Sequence, residues 1–122
     1  MRTKTTLFSI VKILALLFST QIMASGSYRA TALDENGNEL ERFYSSTESA
    51  ILCSNTETDF TGVHLWMQMG DHGHGTSPVT TIQLDGYCIQ INDIDFVMAG
   101  MWQIRFTTKT GKNAISIRVH RD

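Results

Sequence analysis

Proline is almost missing from this chain: Pro78 is the only one in 122 residues. That scarcity excludes a polyproline stalk or a proline-rich linker. Cysteine is equally sparse, with Cys53 and Cys88 alone. Two cysteines are too few for a disulfide-dense miniprotein or a four-thiolate zinc finger. No apolar run is long enough to span a bilayer, which takes about 20 residues. Amphipathic helical periodicity, internal repeats and low-complexity tracts are all lacking. Basic charge is in deficit as well, with ten Lys and Arg against twelve Asp and Glu.

The N-terminus is the one hydrophobic stretch. Arg2, Lys4 and Lys12 precede Ile13-Leu14-Ala15-Leu16-Leu17-Phe18, and the small residues Ala24, Ser25 and Gly26 follow. This order of charged region, apolar region and small-residue zone reads as a cleavable secretory signal over residues 1–24. No cysteine stands there to take a lipid anchor. Residues 25–122 are then one exported domain, periplasmic or secreted, with no stable membrane insertion after cleavage. It keeps seven basic residues against twelve acidic ones, a net charge of −5. Lys109, Lys112, Arg118 and Arg121 are scattered near the C-terminus, so nucleic acid is not an expected partner. In an oxidising compartment Cys53 and Cys88 are expected to form a disulfide, stabilising the fold by roughly 3–4 kcal/mol in the chain-entropy estimate.

What is present is β patterning. Tyr28 to Leu33 alternates weakly, and Asn36-Gly37 signals a hairpin with a return strand from Glu39 to Tyr44. Ala50 to Cys53 is a short buried run. Thr61 to Met69 is the clearest strand, with Val63, Leu65, Met67 and Met69 on one face and His64, Trp66 and Gln68 on the other. Residues 70–78 hold three glycines and the proline, and read as a loop. Val79 to Leu84, Tyr87 to Ile91 with a continuation to Met98, Met101 to Thr107 and a last strand through Val119 complete the set. About seven short strands with turns every 8–12 residues predict an all-β antiparallel sandwich. Trp102 is a candidate core residue.

Two short segments carry the chemistry. Met67, Met69, His72 and His74 fall within eight residues, and Met98 and Met101 bracket a later connection. Met1 and Met23 lie in the signal, so these four methionines are all that the domain keeps. Thioether sulfur suits Cu(I), and imidazole serves Cu(I), Cu(II) and zinc. If both connections share one end of the sandwich, a candidate copper cage of two methionines, drawn from Met67, Met69, Met98 and Met101, and the two histidines His72 and His74 follows. Met69 is the methionine of its strand nearest the histidines, and Asp71 is placed to hold a histidine tautomer. The competing reading is plain: inward methionines fill cores, and His-Gly-His-Gly is a surface loop. A metal-free interaction module is the functional alternative, with an exposed Trp66 beside His64 and Gln68 as its anchor. No nucleophile stands beside a base in a recognisable motif, so an enzyme is not expected.

The segments Trp66-Met67-Gln68-Met69-Gly70-Asp71-His72-Gly73-His74-Gly75, Gly86-Tyr87 and Phe96-Val97-Met98-Ala99-Gly100-Met101-Trp102 together resemble the YtkA-like and FixH-like family. The likeness covers about residues 61–107 and rests most on Met-x-Gly-x-Trp. It implies an immunoglobulin-like sandwich outside a bacterial inner membrane, handling copper or assisting haem-copper oxidase assembly. It also implies that Met69, His72, His74 and Met98 carry the metal and that a copper acceptor or membrane oxidase-assembly protein is the partner. Gln68, Gly70 and Ala99 depart from the family pattern, where proline is common.

Overall fold

The computed structural model describes residues 27–69 and 72–122. The proposed signal, residues 1–24, and Asp71 lie outside them. Nine strands follow in order: β1 Tyr28–Leu33, β2 Phe43–Tyr44, β3 Ser49–Ser54, β4 Thr61–Met69, β5 His72–Gly75, β6 Thr80–Gln83, β7 Cys88–Asn92, β8 Gly100–Thr108 and β9 Gly111–His120. They form a four-stranded sheet, β1-β3-β7-β6, and a five-stranded sheet, β2-β9-β8-β4-β5. An immunoglobulin sandwich pairs an A-B-E-D sheet with a G-F-C sheet that can add C′. Here β1-β3-β7-β6 reproduces the first and β9-β8-β4-β5 the second. Among the described residues no helix is long and apolar enough to cross a membrane.

Alternation decides which side chains enter the core. In β8 the inner positions are Trp102, Ile104 and Phe106, and in β3 and β7 they are Ala50, Leu52, Ile89 and Ile91, all buried. Each large apolar side chain so buried contributes about 1.5–3 kcal/mol. Aromatic edges pin the two ends of this core. Tyr28 and Phe60 meet Phe106 with ring centroids 4.8 and 5.4 Å apart. Four residues earlier along β8, Phe96 meets Trp102 at 5.2 Å.

Cys53 and Cys88 are directly opposite each other in the β3–β7 ladder and are joined by a disulfide, with Cα atoms 4.1 Å apart. Their neighbours Leu52 and Ile89 point into the core, so the bridge lies on the outer face and ties two strands of one sheet. It does not join the two sheets, and the central tryptophan is on β8 rather than on β4. Both features differ from antibody domains, where the disulfide crosses between sheets.

Three sequence expectations are corrected. The described residues form nine strands, not about seven, because β5 escapes a strand reading and the short buried run Ala50 to Cys53 is the full strand β3. The Asn36-Gly37 turn forms, with the Asp34 carboxylate accepting from the backbone N–H groups of Asn36 and Asn38 at 2.8 and 2.9 Å. Yet the returning chain touches β1 only at a Leu33–Glu39 bridge and crosses to the other sheet, where β2 pairs parallel to β9. Burying Phe43 in the core wins over extending the hairpin. The expected continuation of β7 to Met98 fails because Asp93 turns to a φ of 61° and the strand ends at Asn92.

Candidate functional site

A further corrected expectation defines the site. Residues 72–75 are not loop but the edge strand β5, paired antiparallel to β4. His-Gly-His-Gly is therefore a period-two pattern: both histidines take one face and both glycines the other. Gly73 and Gly75 face outward, where Trp66 lies. A Cβ on Gly73 would stand 2.4 Å from the Met67 carbonyl oxygen and 2.5 Å from Trp66 Nε1. Only glycine admits that close approach of indole and backbone.

The register sets the inner face. His74 is opposite Met67, Met67 is opposite Trp102, and Trp102 is opposite Ile117. One row thus crosses four strands. His72 is opposite Met69 in the next row, nearer the hairpin end. Side chains directly opposite have Cβ atoms about 4.5–5.5 Å apart. So two thioethers and two imidazoles share one face of one hairpin. Their exposure is graded: Met67 is 6% exposed and belongs to the core, while Met69 is 38% exposed. Both histidines are exposed. Met67 is also the residue whose Cε would meet a Cβ at Gly100, at 2.9 Å. Its methyl fills the space that this glycine leaves.

His74 makes two contacts that orient it. Its ring stands edge-on to Trp102, with centroids 6.5 Å apart. Its Nδ1 lies 3.1 Å from the Gly75 carbonyl oxygen, which only accepts. Nδ1 is therefore the donor in this contact, and in the neutral ring that tautomer leaves the Nε2 lone pair for a ligand. The Gln68 side-chain amide donates to the His72 carbonyl at 3.3 Å.

Met98 reaches this end of the sandwich by another route. It sits in the bend that enters β8, and its carbonyl accepts from Trp102 Nε1 at 3.0 Å. The buried indole thus touches both the His74 ring and the Met98 backbone. The Met98 side chain is exposed. Met101 is placed apart. It alternates with Trp102, is opposite Arg118, and faces outward from the same sheet.

Among the described residues, no three or more His, Cys, Asp or Glu side chains are grouped to hold a metal ion. A centre on this hairpin would need thioether sulfur beside its two imidazoles, a donor mixture that suits Cu(I). Zinc takes four ligands, or three and a water, from thiolate, imidazole and carboxylate; two histidines fall short of that.

Trp66 is half-buried rather than exposed. Its ring is covered by the Arg105 guanidinium, 4.5 Å from the centroid. His64 lies on the same outer face and is exposed, its Nδ1 2.9 Å from the Gly62 carbonyl. Arg105 escaped the sequence reading. The signal for it is the pairing of His64 with Arg105 across β4 and β8, which no local pattern encodes. No protein-family model and no curated protein matches this chain.

Proposed function

We propose that the protein is an exported copper-binding domain, a chaperone or accessory factor that carries Cu(I) on the β4–β5 hairpin. The observation that carries this reading is the register of the hairpin: Met69 opposite His72 and Met67 opposite His74, all four on one face. Met69, His72 and His74 are the accessible ligands, and Met98 is the fourth candidate from the bend before β8. Met67 serves as the packed floor of the site. A shallow, exposed set of soft ligands fits a carrier, since a metal held at the surface can pass to an acceptor by ligand exchange. The disulfide keeps both cysteines out of the ligand set. The resemblance of residues 61–107 to the YtkA-like and FixH-like family points to the same chemistry, with a periplasmic acceptor as partner.

Competition against a chromogenic Cu(I) chelator tests the proposal. One Cu(I) is expected per protein, with affinity falling at least roughly tenfold, about 1.4 kcal/mol, in both Met69→Ala and His72→Ala. Trp66→Ala, on the other face, should keep the affinity. Unchanged binding in the first two variants would remove the hairpin from consideration as the metal site.

A further inference from the structure

Charge is sorted in this fold in a way that its sequence does not display. None of the eleven acidic side chains among the described residues lies in a strand. The outer face of the five-stranded sheet carries Arg105 from β8 and Lys112 and Arg118 from β9, with His64 from β4. Cross-strand pairing assembles them: His64 is opposite Arg105, Thr107 is opposite Lys112, and Met101 is opposite Arg118. An otherwise acidic domain therefore has one basic sheet face. An open groove of about 420 Å³ runs over it, lined by His64, Gln103, Arg105, Thr107 and Lys112.

Arg105 is held ready at the centre of this groove. Its Nε–H donates to the Gln103 amide oxygen Oε1 at 2.9 Å. Its flat face rests on the Trp66 ring, and Trp66 rests in turn against Gly73. Two of the guanidinium's fixed features are thus used for positioning, and the terminal amino groups remain for an acceptor. A fork of this kind matches an oxyanion bidentately, and little side-chain freedom is left to lose on binding. Trp, Arg and Met, here Trp66, Arg105 and Met101, are the residue types enriched where proteins dock.

We propose that this outer face docks an acidic polypeptide segment of a partner protein, with a carboxylate seated on Arg105 between His64 and Lys112. A long phosphate backbone is the poorer fit. Three fixed cations neutralise few phosphates, and the twelve carboxylates elsewhere on the chain repel an extended polyanion. A short acidic segment meets only the basic face. The proposal does not rest on the copper reading, because the two sites occupy opposite faces of β4.

The experiment uses protein produced from the full-length chain, with a metal chelator present throughout. Fluorescein-labelled hexaglutamate is titrated by fluorescence anisotropy at low ionic strength, beside a labelled oligothymidylate of equal charge. Saturable peptide binding is expected, weakened at least roughly tenfold in both Arg105→Gln and Lys112→Glu. Arg29→Gln, on the other sheet, should bind as the parent does. Lys112 is an exposed position near the start of β9, so its variant stays informative even if Arg105→Gln disturbs the Trp66 stack. Absence of saturable peptide binding, or equal binding by the parent and Lys112→Glu, overturns the proposal. Oligothymidylate binding as tightly as the peptide overturns it too, in favour of a general phosphate surface.

Discussion

The β8–β9 and β4–β5 hairpins belong to one sheet and obey the same alternation, yet they serve opposite ends. Inner positions of β8 hold Trp102, Ile104 and Phe106, all buried, and β8 is paired on both sides. Inner positions of β5 hold His72 and His74, both exposed, and β5 is an edge. The β8–β9 ladder pairs nine residues on each strand, and the β4–β5 ladder four. An inward-facing side chain is a core residue only where a second layer covers it. At the sheet's margin the same geometry presents a row of exposed imidazoles beside Met67 and Trp102.

The largest expected effect breaks the covered side of this contrast. Trp102→Ala should cost about 3–5 kcal/mol in urea denaturation and free the Met98 carbonyl. His74→Ala, two strands away in the same row, should cost less than about 1 kcal/mol. Comparable losses in the two variants would mean that β5 is as much core as β8. A smaller effect comes from Gly73→Ala, whose methyl would collide with Trp66 and with the Met67 carbonyl. A loss of about 1–3 kcal/mol is expected, with hydrogen exchange rising in β5 and unchanged in β8 and β9. Amides of β5 that stay protected would show that the indole does not press on this strand.

The smallest effect sharpens the comparison at the opposite margin, β2. There the Asp122 carboxylate accepts from the hydroxyls of Ser45 and Ser46 and from the Ser46 backbone N–H, fastening the chain just after β2. The Ser45 hydroxyl first, and then that of Ser46, hold this carboxyl below its ordinary range. A carboxyl whose folded value lies below its unfolded one, about 3.9, stabilises the fold above that unfolded value. The contribution is lost as pH falls through the folded value. Asp122→Asn should therefore lower the melting temperature slightly at neutral pH and leave it less sensitive to acid. An acid response identical to the parent's would take this clamp out of the linkage.

Much of the fold is legible in the residues. The period-two run from Thr61 to Met69 coincides with β4, and the Asp85-Gly86 turn forms, with the Asp85 carboxylate accepting from the backbone of Tyr87 and Cys88. Cys53 and Cys88 pair as expected. Glycine misleads at β5: in most strands it weakens pairing, but here it makes room for an indole from the neighbouring strand. That requirement belongs to Trp66, not to the segment itself. Residue types at the candidate metal site are visible in sequence, whereas their common face depends on the register of β4 with β5. The basic face is hidden for a stronger reason. His64, Arg105 and Lys112 come together through ladders that join β4 to β8 and β8 to β9, and His64 is far from the other two along the chain.

The disulfide has a mechanical consequence. Cys53 and Cys88 are 35 positions apart in sequence, and the covalent ring they close contains β4, β5 and β6. A chain pulled from its two ends can peel β1, β8 and β9 away, but tension passes through the bridge and bypasses the ring. At about 3.5 Å per residue, roughly 120 Å of contour stays locked until the sulfurs are reduced. The histidine-bearing hairpin thus rides inside a segment that tension from the termini cannot draw out.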